Sequence, residues 1–129
     1  MTAQDPMVFT AQKGRIALRM VCVAMGRDLA VTLAGGDLSH IGAVAVSQAR
    51  PSHRPEGGTS ATTSVIALPG HKEDDLARNL AARFATQLDA VVSVTCGIHM
   101  DHLGGNDLKD ILELTEELAA RALNRITAP

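Results

Sequence analysis

Three histidines stand where chemistry is most easily assembled. His40 opens the run His-Ile-Gly-Ala-Val-Ala, His71 lies in Pro-Gly-His-Lys-Glu-Asp, and His99 closes an apolar run in Gly-Ile-His-Met-Asp-His. Each falls at the boundary of an expected element, where backbone groups are unpaired and side chains from different segments converge. Imidazole there serves as metal ligand, proton acceptor or hydrogen-bond partner near neutral pH. Asp101, two residues past His99, shares its strand face if the strand runs that far. The pair then reads as a metal ligand with its orienting carboxylate, as two ligands, or as a general base. The plain alternative is a solvated strand end.

His71 sits at a helix start, where free N–H groups and the macrodipole favour an anion. Glu73, Asp74 and Asp75 follow it and suit the dipole, but they repel a phosphate. A cation held between imidazole and carboxylate groups would reconcile the two. Behind His40, Gly42, Ala43 and Ala45 leave room for a ligand to lie on the sheet. Arg50 and Arg54 flank a loop rich in Pro and Gly and form a candidate clamp for carboxylate or phosphate. His53 and His102 read as loop residues.

The elements that must position these groups follow from periodicity. Ile16, Leu18, Met20 and Cys22 alternate along a first strand, and Gly26-Arg27-Asp28 turns it into a second through Leu29, Val31 and Leu33. His40 to Ser47 is small and apolar on both faces, as an interior strand is. Arg50 to Gly58 is a loop, and Thr59 to Leu68 a strand rich in Thr, Ser and Val. Leu76, Leu80, Phe84 and Leu88 recur every four residues, giving a helix from Lys72 to about Leu88. Ala90 to Ile98 is a further strand. The last helix runs from Asn106, its expected N-cap, to Ile126, with Leu108, Ile111, Leu112, Thr115, Leu118, Ala119, Ala122 and Ile126 on its apolar stripe. The expected fold is an α/β (α+β) sandwich: a mostly antiparallel sheet of five to six strands with two amphipathic helices, in the order ββββαβα. Residues 1–12 are expected to be a flexible segment and 13–129 a single domain.

Composition narrows the function. The 129 residues are 46% hydrophobic, yet hold two Phe and no Trp or Tyr, and the formal net charge is −2. Such a chain has little with which to stack nucleobases or to attract a phosphate backbone. Cys22 and Cys96 lie inside apolar runs and read as buried free thiols in a reducing compartment. No run approaches the roughly 18 apolar residues of a membrane span, and Met-Thr-Ala-Gln-Asp-Pro-Met lacks the basic flank of a secretory signal. A cytoplasmic protein is expected. A nucleophile elbow, P-loop, dinucleotide glycine pattern and Cys-x-x-Cys are all lacking, which favours binding over catalysis. The alternative is a small metal-dependent hydrolase or lyase using His99 with Asp101.

The motifs His40-Ile-Gly-Ala-Val-Ala, Arg50-Pro-Ser, Ser60-Ala-Thr-Thr-Ser-Val, Gly70-His-Lys-Glu-Asp and Gly97-Ile-His-Met-Asp together resemble the LpdD-like proteins. These are accessory components associated with gallate-type decarboxylases of the UbiD class. The resemblance runs from about residue 12 to about residue 125. It implies a non-catalytic role, binding prenylated FMN and delivering it to the decarboxylase. It also implies a fold similar to small proteasome-assembly chaperones, and a homodimer. His40, Gly42, Arg50, Ser60, His71 and Lys72 are the expected cofactor contacts. His40, His71, His99 and Asp101 are the expected ligands of a divalent metal that bridges to the phosphate. With no spare aromatic residue, the ring system would lie on Met, Ala, Gly and peptide planes, as suits hand-over rather than permanent retention.

Overall fold

Alternation and helical period resolve into eight elements. A computed structural model describes residues 5–69 and 73–129. The elements are β1 (Met7–Lys13), β2 (Ile16–Met25), β3 (Asp28–Gly36), β4 (Leu38–Pro51), β5 (Thr59–Ala67), α1 (Asp74–Leu88), β6 (Val91–His99) and α2 (Asp107–Thr127). The strands form one sheet in the order β1-β2-β3-β6-β4-β5. Every neighbouring pair is antiparallel except β3 and β6, which run parallel; α1 carries the chain from the edge strand β5 back to β6 in the sheet interior.

Both helices cover the same face. Ile16, Leu18, Met20 and Cys22 of β2, with Leu29, Val31 and Leu33 of β3, point into the core beside Val92, Val94 and Cys96 of β6. From α1 come Leu80 and Phe84 with Ala77, Ala81 and Ala85, and α1 packs on β4, whose Ala43 and Ala45 are buried in the same core. Small residues on both sides bring helix and sheet close together. The opposite face carries no helix, and Val8, Val23, Val46 and Ile66 are exposed on it. No helix among the described residues is long and apolar enough to cross a membrane.

Three differences from the sequence reading have local causes. Met7–Lys13, most of which lies in the segment expected to be flexible, pairs with β2 from Met7 opposite Cys22 to Lys13 opposite Ile16. Met7 and Phe9 reach the core, and the Arg121 and Arg125 guanidinium groups lie 5.7 and 5.8 Å from the Phe9 ring centre. The strand signal there rests on two large residues, too few for the pattern to stand out. β4 continues through Arg50 and Pro51, because Arg50 still pairs with Ser60 of β5. On α2, Leu114 and Leu123 are buried, whereas Leu108 and Leu112 are exposed. Leucines occupy both flanks of that helix, so its period admits more than one core face. Asn106 holds the cap position without a side-chain capping bond.

Candidate functional site

The site forms where β4 crosses the end of β6. The ladder between them shifts register between Ser39 and Ala43, a bulge that re-aims side chains next to His40. Gly97 permits the crossing: a methyl group built on it would fall onto the carbonyl oxygen of His40. Gly42 serves a second close approach, since a methyl there would strike the Glu73 carboxylate. Glycines thus let the backbone at His40 and the side chain of Glu73 press against the sheet.

Glu73 precedes the first helical residue of α1 but makes no capping bond with its side chain. Its carboxylate turns inward instead. Oε1 accepts the Ile98 N–H at 3.3 Å and lies 3.4 Å from His40 Nε2. Oε2 is buried against Gly42 and has no hydrogen-bond partner among the described residues. The sequence reading took Glu73 as one of three acids at a helix start; the signal for its other role was the pair of glycines that make room for it.

His99 ends β6, and its Nε2 lies 2.9 Å from Asp101 Oδ1. The His40 and His99 rings are edge to face with centroids 6.2 Å apart. The turn after β6 is tied down from several sides. Asp37 accepts the Asp101 N–H at 2.8 Å, and its own N–H donates to the His99 carbonyl at 2.7 Å. Arg15 donates to the carbonyls of Asp101 and His102 at 2.9 and 3.2 Å, and to Asp107 Oδ2 at 2.6 Å. The hydrogen bond from Arg15, together with the Gly104 N–H, holds the Asp107 carboxyl below its ordinary pKa.

Beside these groups is a cavity of about 380 Å³ between the starts of α1 and α2. Leu76, Ile98, Met100, Ile111 and Leu112 are among its apolar walls, and His40, Glu73, Asp75, Asn79 and His99 supply its polar part. A wider groove of about 750 Å³ on the helix-free face runs past Thr10, Gln12, Arg19 and Thr32 and contains no histidine or carboxylate. The smaller cavity holds the convergent chemistry. Its size and its mixture of apolar wall and few polar groups suit a small organic ligand.

His40, His99 and Asp101 therefore come together, with Gly42 beneath them. Arg50 and Ser60 do not join them. At ~3.3 Å per strand residue, Arg50 lies roughly 30 Å along β4 from His40. Its guanidinium donates to Thr62 Oγ1 at 2.9 Å and to the Pro51 carbonyl at 3.2 Å. β4 takes Arg50 and Pro51 into the strand, so the loop that was to carry the clamp shrinks to residues 52–58. His53 and His102 are exposed outside the cavity. His71 and Lys72 lie outside the described residues. Among the described residues no three His, Cys, Asp or Glu side chains are placed to hold a metal. Of the expected ligands that are described, His40 faces Glu73 and His99 faces Asp101, so these donors form two pairs.

Cys22 and Cys96 are free and buried on the core side. Burial pushes the Cys22 thiol up to about 11 and, with the Glu73 charge adding to it, the Cys96 thiol up to about 12.

A family model described as the prenylated flavin chaperone LpdD-like domain matches residues 12–127. No functionally curated protein shows significant sequence similarity to the chain. Among solved structures, the chain is similar to one in a crystal structure of a chaperone complex for yeast 20S proteasome assembly. The TM-score is 0.53 with 14% identity, and 94% of each chain is covered. That likeness concerns the fold alone.

Proposed function

Because the chain belongs to the LpdD-like prenylated flavin chaperone family, we propose that it carries prenylated FMN in the cavity between the two helix starts. It delivers the cofactor in the cytoplasm to the apo form of a UbiD-type, gallate-like aromatic acid decarboxylase. The observation that carries this reading is the cavity itself: apolar walls for a flat ring system, with two imidazole–carboxylate pairs at one side. When bound, the cofactor would supply the redox and covalent chemistry of the acceptor enzyme. The carrier's residues only bind and orient it. Leu76, Ile98, Met100 and Ile111 shield the ring from water, and His40 and His99 meet its polar edge. The phosphate belongs with Lys72 and His71, which immediately precede Glu73 in sequence. The divalent metal expected from the sequence has no ligand set among the described residues.

The test is retention of reduced prenylated FMN through gel filtration, followed by absorbance, with and without EDTA. Retention in both conditions is expected. Loss in EDTA alone would restore the metal-bridged phosphate, and no retention in either would end the carrier reading. The 2.9 Å contact of His99 with Asp101 is the one observation favouring a hydrolase or lyase. That alternative predicts turnover by the isolated protein that His99→Ala abolishes.

The helix-free sheet face supports a homodimer. Val8, Val23, Val46 and Ile66 are exposed there, and pairing two such faces would remove this apolar surface from water. Val46→Asp with Ile66→Asp should then convert a dimer to a monomer in light scattering; an unchanged mass would rule this face out.

A further inference from the structure

The two edges of the sheet are finished differently. At the β1 edge, Arg121 of α2 donates to the Thr10 carbonyl at 2.8 Å, and the strand ends in Lys13. Cationic side chains on an edge keep it from pairing with another chain. The β5 edge has no such device. Its sequence, Thr-Ser-Ala-Thr-Thr-Ser-Val-Ile-Ala, holds no charge and no proline, and its register with β4 runs unbroken from Thr59 to Ala67. Ile66 on this strand is 70% exposed, the most of any large apolar side chain among the described residues.

Ladder geometry identifies the groups that β5 leaves open. In an antiparallel pair, hydrogen bonds are exchanged by every second pair of opposed residues. The Leu68 N–H donates to the Gly42 carbonyl at 2.9 Å, and the Ala49 N–H to the Ala90 carbonyl at 3.2 Å. Even-numbered residues of β4 therefore bond to β5 and odd-numbered ones to β6. By the same register, Ser60, Thr62, Ser64 and Ile66 are the β5 residues bonded to β4. The N–H and carbonyl groups of Thr59, Ala61, Thr63, Val65 and Ala67 point away from the sheet. Among the described residues, no hydrogen bond reaches them. These open positions are symmetric about Thr63.

We propose that two copies of the chain pair through β5, antiparallel and centred on Thr63, across a twofold axis perpendicular to the sheet. Thr63 of one copy then faces Thr63 of the other, Ala61 faces Val65, and Thr59 faces Ala67. Each of these pairs exchanges two hydrogen bonds, so every open group finds a partner. The intervening pairs set Thr62 opposite Ser64 and Ser60 opposite Ile66. Small hydroxyl-bearing and aliphatic side chains meet, and no like charges are opposed. A second copy is therefore the partner whose edge matches at every position. β5 supplies none of the described residues that line the cavity, so pairing leaves the cavity open. The helices of both copies lie on one side of the doubled sheet. The helix-free faces stay available, so this contact is separate from the face-to-face one and is independent of the carrier reading.

The test is a cross-link specific to this register. Thr62 of one copy and Ser64 of the other form a non-hydrogen-bonded pair, with Cα atoms about 4.5 Å apart, within disulfide reach. In Thr62→Cys or Ser64→Cys alone, the introduced thiols sit two residues out of register, roughly 8 Å apart and beyond that reach. Cys22 and Cys96 are buried and do not compete. On mild oxidation, a mixture of the two variants should give at least about fivefold more covalent dimer than either alone. Equal yields overturn the proposal. Ala61→Pro removes one outward N–H and leaves the bonds to β4 intact. It should halve the wild-type mass in sedimentation, with a native circular dichroism spectrum; a folded variant of unchanged mass overturns the proposal. If that variant fails to fold, the cross-link decides alone. A wild-type chain that stays monomeric, its edge left to an extended segment of another protein, also overturns it.

Discussion

Two imidazole–carboxylate pairs share one cavity, yet they are built differently. The side chains of His40 and Glu73 are 16% and 12% exposed, whereas those of His99 and Asp101 are 47% and 68% exposed. The buried pair joins β4 to the start of α1 and to the backbone of β6, three elements brought together only by the fold. The exposed pair is local, two residues apart in one turn. In the first, a carboxylate removed from water is held by few partners, so its removal disturbs the architecture. In the second, solvent screens the interaction, and either side chain is replaceable at little cost to folding. Architecture rests on the first pair, whose two side chains both line the cavity; of the second, His99 alone lines it.

The sharpest way to break the buried half is at the glycines beneath it. Gly97→Ala forces a methyl group onto the His40 backbone carbonyl, which has no side-chain freedom with which to yield. We expect a loss of about 3 kcal/mol or more, seen as a fall in melting temperature of roughly 10 °C or more. Gly42→Ala meets the Glu73 side chain instead, and that group can swing away. The expected cost is about 1–3 kcal/mol, with prenylated FMN retention lost while the circular dichroism spectrum stays native. Equal stability of the two variants would show that the β4–β6 crossing is not as rigid as its contacts indicate.

A milder pair of substitutions sharpens the same contrast. Glu73→Gln keeps shape but removes the charge facing His40, and should cost about 1–2 kcal/mol in urea denaturation. Asp101→Asn should cost below about 1 kcal/mol yet weaken ligand retention by a comparable factor. If Asp101→Asn proved the more destabilising, the contrast between the buried and the exposed pair would be wrong.

The smallest effect concerns the thiols. Their folded pKa values, about 11 for Cys22 and about 12 for Cys96, lie above the ~8.5 of an unfolded thiol. A raised value means the fold favours the neutral thiol. Its contribution is complete below about pH 8.5 and is lost as pH rises from there through 11–12. Native protein should therefore resist a thiol reagent at pH 8, whereas unfolded protein reacts at both positions. Rapid labelling of native protein would contradict their burial.

Much of the fold was legible along the chain. Alternation marked β2 and β3 and the apolar runs marked β4 and β6, because one buried face imposes a period of two. The four-residue recurrence of Leu76, Leu80, Phe84 and Leu88 marked α1 for the corresponding reason. His99 with Asp101 was visible because the two are close in sequence, although β6 ends at His99 and the turn beyond it, not a shared strand face, brings Asp101 back to the ring. β1 was missed because its signal is short. The core face of α2 was mistaken at Leu108 and Leu112 because helical period alone does not choose between flanking leucines.

By itself, then, the sequence determined the element order, the burial of both cysteines, the local His99–Asp101 pair and membership of the family. Each depends on residues near one another in the chain or on motifs matched one by one. Only the tertiary structure decided that Glu73 pairs with His40, that Arg50 and Ser60 stand far from the cavity, and that exposed leucines ring its mouth. Those outcomes depend on strand order and on which helix face docks. Periodicity states that a face is apolar; the packing of the whole sheet decides what it meets.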